Sequence, residues 1–154
     1  RDIAAVGYGD DLAMFAYGNT GSKSSLKNLI GNNGVAAANV TGVGTARGDL
    51  AAVRYGSSGQ ALFAYGLTSS NVSLKNLVNN VGVIAADVSG VGTAREKLNS
   101  AGYGGDKGIF AFGVASARVN TRNLMSNTGV IAADASGAGS VRNRAMSAGF
   151  SSSA

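Results

Sequence analysis

A unit of 47 to 48 residues occurs three times in this chain, and that repetition limits the possible folds more than any other feature. Phe15-Ala16-Tyr17-Gly18 returns as Phe63-Ala64-Tyr65-Gly66 and as Phe110-Ala111-Phe112-Gly113. Next come Ser25-Leu26-Lys27-Asn28-Leu29, Ser73-Leu74-Lys75-Asn76-Leu77 and Asn120-Thr121-Arg122-Asn123-Leu124. A Gly-Val pair (Gly34-Val35, Gly82-Val83, Gly129-Val130) then opens an Ala-rich run. Each unit closes on Gly42-Val43-Gly44-Thr45-Ala46-Arg47, Gly90-Val91-Gly92-Thr93-Ala94-Arg95 or Gly137-Ala138-Gly139-Ser140-Val141-Arg142. Units of this size bury their faces against one another rather than around a private core. The chain therefore divides into residues 1–47, 48–95 and 96–142, with a remainder at 143–154.

Within a unit the pattern is β. Clusters of Gly, Asn and Ser interrupt every window long enough for a helix, and short apolar runs lie between them. Strand one is expected over residues 3–8, 50–55 and 98–103, and strand two over 12–17, 61–65 and 108–112. Strand three is expected over 26–30, 74–78 and 121–125, and strand four over 35–40, 83–88 and 130–135. Successive residues of a strand face opposite ways. Met14, Leu62 and Ile109 thus share one face of strand two with Ala16, Ala64 and Ala111. Phe15, Phe63 and Phe110 share the other with Tyr17, Tyr65 and Phe112. Both faces are apolar, so the strand is covered on both sides. A four-stranded antiparallel sheet covered on each face by a copy of itself is a propeller blade. The expected fold is an all-β propeller of three such blades.

In this light the unit resembles the kelch-type β-propeller repeat. Leu62-Phe63-Ala64-Tyr65-Gly66 stands where that family has its glycine-ended second strand. Asn79-Asn80-Val81-Gly82 stands at the turn before strand four, and Thr93-Ala94-Arg95 at the exit. The likeness runs through nearly the whole chain, with one Gly in place of the family's pair and no Trp. It implies blades arranged around a channel. The Gly/Ala-rich wording also resembles tandem repeats in structural proteins of marine phages and metagenomes.

Missing residues narrow the function. The 154 residues contain no Cys and no His, which removes thiolate and imidazole metal sites, Ser-His-Asp and Cys-His catalysis, disulfides and cysteine redox centres. No metal or other cofactor is expected, and no enzymatic activity. The net charge of +5 is mild and Trp is absent, which argues against nucleic acid as partner. No apolar run reaches the roughly 18 residues of a membrane span, so no membrane partner is expected. The chain opens at Arg1 without a signal-like segment, which points to a processed chain or an excised piece.

Four features compete as sites. Gly9-Asp10-Asp11 matches the paired carboxylates of polymerase metal sites, but the other units carry Ser57-Ser58 and Gly105-Asp106 there, so a hairpin turn explains it. The Gly-x-Gly of each closing loop lacks the third Gly and the helix of a phosphate cradle. Lys27, Lys75 and Arg122 form a basic stripe on strand three without interleaved aromatics, as a solvated face does. Arg47, Arg95 and Arg142 are the most informative charges, because one stands at the same place in every unit. They form either a ring of donors at a channel mouth for an acidic ligand or a scaffold bonded to carbonyls and to Asp87 and Asp134 (Asn39 in the first unit).

Three blades do not close a ring, since propellers have typically 4–8. Two chains would give six blades, with a homodimer favoured by symmetry, and three would give nine. Residues 144–150 repeat strand one a fourth time, a surplus strand suited to closing the ring or to donation along a fibre. The resulting expectation is a non-enzymatic structural or assembly protein, extracellular or of a virion, whose propeller is closed by self-association, the partner then being itself, or as part of a longer array. The alternative is a binding propeller, lectin-like or peptide-binding, using the variable loops 19–24, 67–72 and 114–119.

Overall fold

The computed structural model describes residues 1–145 and Ser147. Among these residues nine strands make three antiparallel sheets. The first contains β1 (Ala4–Tyr8), β2 (Leu12–Ala16) and β3 (Lys27–Ile30); the second β4 (Ala51–Tyr55), β5 (Gln60–Ala64) and β6 (Lys75–Val78); the third β7 (Asn99–Tyr103), β8 (Lys107–Ala111) and β9 (Arg122–Met125). In each sheet the hairpin's second strand is central. The register is the same in all three: Val6–Met14–Leu29, Val53–Leu62–Leu77 and Ala101–Ile109–Leu124 lie directly opposite. Tight turns starting at Gly9, Gly56 and Gly104, all at positive φ, join the first two strands. The β4–β5 turn carries one residue more than its counterparts, which accounts for the change from 48 to 47 in the repeat spacing.

The fourth strand expected in each unit is not a regular strand, so the sheets are three-stranded and the expected four-stranded blade is not seen. The returning segment pairs with β3 only at Ile30–Ala36 and Lys27–Val40, with the same two points in the other repeats. Three steps along β3 face four steps on the return, which forces a bulge. Asn76 occupies that bulge, its Nδ2 donating to Ala85 O at 3.0 Å and to Asp87 Oδ1 at 2.9 Å. A side-chain amide thus takes the place of a ladder bond. Nor do the three sheets close into a ring.

They pack instead face to face in sequence. One core joins Val6, Met14, Ala16 and Tyr17 of the first repeat to Phe63, Val78 and Ile84 of the second. The other joins Val53, Leu62, Ala64 and Tyr65 of the second to Phe110, Met125 and Ile131 of the third. Each sheet therefore has a face toward the preceding repeat, carrying the Phe, and a face toward the following one. Strict alternation would have put Tyr17 beside Phe15. Tyr17, Tyr65 and Phe112 instead adopt φ of 62°, 63° and 62°, which ends the strand and swings the ring to the opposite face. Tyr17 there meets Phe63 of the next repeat edge-on at 5.3 Å, and Tyr65 meets Phe110 at 5.6 Å.

A second line of contacts runs along the first strands. Asp49 N–H donates to Asp2 O, Lys97 N–H to Asp49 O, and Arg144 N–H to Lys97 O, one bond per repeat. The surplus strand expected over residues 144–150 lies largely outside the described residues.

Equivalent residues differ sharply in exposure according to whether a neighbour covers them. Phe63 is 0% exposed and Phe15 47%; Leu50 is 7% exposed and Ile3 55%. Phe63→Ala is accordingly expected to cost about 3–5 kcal/mol of folding stability, as for a buried aromatic, whereas Phe15→Ala should cost under about 1 kcal/mol in the single chain. Urea denaturation of the two variants at low protein concentration checks the difference; equal losses would contradict the one-sided cover of the first sheet.

Candidate functional site

The recurring arginine sits at the joint between repeats. Residues 42–47 leave the first sheet and cross to the second. The Arg47 carbonyl accepts Gly18 N–H at 2.8 Å, which ties its backbone to its own repeat. Its side chain enters the next one. Nε donates to Tyr65 O at 3.0 Å and Nη2 to Asn76 Oδ1 at 2.6 Å, while Nη1 donates to Thr45 O at 3.2 Å and lies 3.8 Å from Asp87 Oδ1. The guanidinium stacks 4.3 Å above the Tyr17 ring, whose hydroxyl donates to Val43 O at 2.9 Å. The second joint repeats the arrangement. Arg95 donates to Phe112 O, Thr93 O and Asn123 Oδ1, lies 4.0 Å from Asp134 and stacks 4.2 Å above Tyr65. Both arginines are 0% exposed. A buried guanidinium is tolerable only with its donors occupied, and here carbonyls and amides surround it in its own plane.

The acid completes the joint from the other side. Asp87 Oδ2 accepts Thr45 N–H at 2.9 Å and Thr45 Oγ1–H at 2.6 Å, and Asp134 does the same for Thr93. Partial burial pushes the Asp87 carboxyl up, but the hydrogen bonds from Thr45 and Asn76, with the nearby Arg47, outweigh it and hold it below its usual range. Asp134 is held low in the same way by Thr93, Asn123 and Arg95. Burial drives the Tyr17 hydroxyl up to about 12, against the opposing pull of Arg47, so the phenol stays neutral and donates. Burial likewise lowers the Arg47 guanidinium from its ordinary value, opposed by Tyr17 and Asp87. The pairing runs one repeat forward, Arg47 to Asp87 and Arg95 to Asp134, rather than within a repeat.

Glycine is obligatory beside this cluster. Gly44 (φ 90°) lies so close that a Cβ would sit 2.5 Å from Asp87 Oδ1 and 2.6 Å from Asn76 Nδ2. A Cβ on Gly82 would come within 2.9 Å of the Tyr8 ring, and one on Gly129 would meet Tyr55. Gly44 and Gly92 thus let two repeats approach, while Gly42 and Gly90 lie against Ser25 O and Ser73 O of their own repeats.

The basic residues of strand three also reach forward. Lys27 Nζ donates to Gly82 O at 3.0 Å and Lys75 Nζ to Gly129 O at 3.2 Å. The Gly-Asp-Asp carboxylates are exposed on a turn, where Asp11 accepts Asn32 Nδ2–H at 2.9 Å. Among the described residues no three His, Cys, Asp or Glu gather as a metal site would require. Asn76 and Asn123, central to both joints, were visible in the sequence only as part of the Leu-Lys-Asn-Leu and Thr-Arg-Asn-Leu refrain. Their chemistry shows once the bulge and the arginine are placed.

Arg142 is the exception among the three arginines. It stacks 4.0 Å over Phe112, and its carbonyl accepts Gly113 N–H at 3.0 Å, as in the interior joints. Yet it is exposed, and nothing lies within 4 Å of the Cβ position of Gly139, the counterpart of Gly44. Compared with known protein families and with curated proteins, the chain matches no family model and no curated sequence.

Two outcomes follow from the joint. Arg47→Ala strands Asn76 Oδ1, Tyr65 O and Asp87, and should cost about 3–5 kcal/mol, while Arg142→Ala should cost about 1 kcal/mol or less in the single chain; chemical denaturation measures both. The carboxylate of Asp87, held below its usual 3.8 in the folded chain, stabilises the fold above that value and ceases to do so as pH falls through its folded value. The stability gap between the wild type and Asp87→Asn is therefore expected to be widest near neutral pH and to shrink below about pH 4. A gap that held constant down to pH 2 would remove Asp87 from the joint's energetics.

Proposed function

We propose that this chain is a non-enzymatic structural protein, a module whose repeats exist to bind copies of themselves. The observation that carries this reading is the use to which the recurring polar groups are put. In both joints the repeated Arg, Lys, Asn, Asp and Tyr are spent on the neighbouring repeat. The same residues at the two ends of the stack lack that neighbour. The architecture fits an arc of a propeller: each three-stranded sheet with its bulged returning segment corresponds to a blade with an irregular outer edge, in the manner of the kelch-like repeat. Such an arc completes itself by association or within a longer array, in an extracellular or virion assembly.

A second reading rests on the groove of about 370 Å³ running across the first strands, with Arg54, Lys107 and Tyr55 on its walls. Under it the module binds an acidic peptide or glycan along that groove.

Sedimentation across a range of concentrations separates the two. Self-association of the 15.2 kDa chain without added ligand is expected, because Ile3, Phe15 and Val35 stand exposed on the first repeat and exposed apolar patches mark interaction sites. A folded monomer at high micromolar concentration would overturn the assembly reading and leave the groove as the better account.

A further inference from the structure

We infer that the outer edge of a repeat, formed by the segment that returns after its third strand, pairs antiparallel with the same edge of a second copy of this chain. The inference rests on the assembly reading above and places a contact on a surface that the joints do not use. Exposure singles that surface out. Where a neighbouring repeat matters, exposure changes along the stack, as it does from Phe15 to Phe63. On the returning segments it does not. Val35, Val83 and Val130 are 62%, 56% and 60% exposed, and Val40 and Val88 46% and 45%. The middle repeat has a neighbour on both faces, yet its valines are as bare as the others. A stack of any length therefore leaves this edge open.

The backbone of the edge is open as well. In the middle repeat Asn79 N–H donates to Val83 O at 3.1 Å and Ala85 N–H to Leu77 O at 2.8 Å. The groups on either side of Ile84 thus point inward, and by strand alternation the N–H and C=O of Ile84 point outward. Among the described residues neither has a partner. Ala36 is held the same way by the bonds of Val35 and Ala37, and Ile131 by those of Val130 and Ala132. A residue with both groups turned outward is half of a hydrogen-bonded pair in an antiparallel ladder. The same residue, related by a two-fold axis, supplies the other half.

Side chains and charge favour a copy over a different partner. In that register Val83 faces Ala85 of the second copy, a large residue against a small one, and both are exposed. Val35 with Ala37, and Val130 with Ala132, repeat the match. Sheet edges in natural proteins are commonly guarded by charges or proline. This chain has no proline, no charge in residues 28–46, and one charge each in 76–94 and 123–141, Asp87 and Asp134. Both are spent on the preceding repeat's Thr45 and Thr93. A copy therefore meets no opposing charge here, and a charged partner finds no counter-charge. The bulge before Val88 ends the open stretch. The contact is isologous, and three equivalent edges let one chain take more than one partner.

Two measurements test it. The first is sedimentation of the chain carrying Val35→Lys, Val83→Lys and Val130→Lys together, exposed positions whose change leaves the joints intact. Association should weaken at least tenfold, and so should that of Ala37→Asp, Ala85→Asp and Ala132→Asp together. An equal mixture of the two should associate again, because each new lysine then faces an aspartate across the edge; that recovery also shows that both variants fold. The second is amide hydrogen exchange of the wild type, dilute and concentrated. The Ala36, Ile84 and Ile131 amides should slow at least tenfold on association, whereas Ala85 N–H, already bonded to Leu77 O, should be protected in both states. If the lysine variant associates as the wild type does, if the mixture stays apart, or if the three amides exchange equally fast in both states, this edge is not the contact and the assembly reading stands on another surface. If the wild type itself never associates, both fall together.

Discussion

Everything in this molecule depends on burying a positive charge between one repeat and the next. Taking a guanidinium out of water costs several kcal/mol unless its donors are met, and no single repeat can meet them. Arg47 draws its stacking partner from its own repeat, and most of its hydrogen-bond acceptors from the following one. Removing either side leaves polar atoms stranded in the other. The joint is therefore demanding as well as adhesive: it forms in one register or not at all. Apolar packing of Phe63 or Phe110 supplies area, but area alone tolerates sliding. The arginine does not.

That demand explains features that otherwise look unrelated. The glycines of the closing loop let the backbone lie against Asp87 and Asn76 without a Cβ between them. The left-handed Tyr17 and Tyr65 bring a ring over the guanidinium, and the left-handed Tyr65 and Phe112 turn their carbonyls toward the arginine of the preceding repeat. The bulge in the returning segment opens a carbonyl for the Asn side chain, which in turn aims its oxygen at the arginine. Several local departures from ideal strand geometry thus serve one contact. The same departures recur in all three repeats.

The stack has a direction. The face with the phenylalanine looks toward the preceding repeat and the face with the tyrosine and arginine toward the following one. Stability in such a series is close to a sum of units and nearest-neighbour joints, so the middle repeat, with two joints, is the best protected. Its Leu62, Phe63, Ala64 and Tyr65 are all fully buried. The outer repeats each hold one finished face and one unfinished one.

The repeat, the all-β class and the places of the first three strands were legible in the sequence, because turn residues and short apolar runs act locally. The observed β1, β2 and β3 and their copies fall within a residue of where alternation and glycine turns set them. The recurrence of Arg47, Arg95 and Arg142 was legible too, as was a list of their possible acceptors. Which acceptor each arginine takes was not. Arg47 passes over its own repeat for Asp87 because the closing loop has already crossed to the next sheet, and that crossing is a property of two repeats together. Tyr17 changes face because a positive φ breaks the alternation, and what its ring then meets, Phe63, belongs to the next repeat. The fourth segment loses its ladder because Asn76 bonds into it. The sequence determined the parts of one repeat; the tertiary structure decided how each repeat completes the next, since the acceptors for a buried charge are counted across the joint and not within the unit.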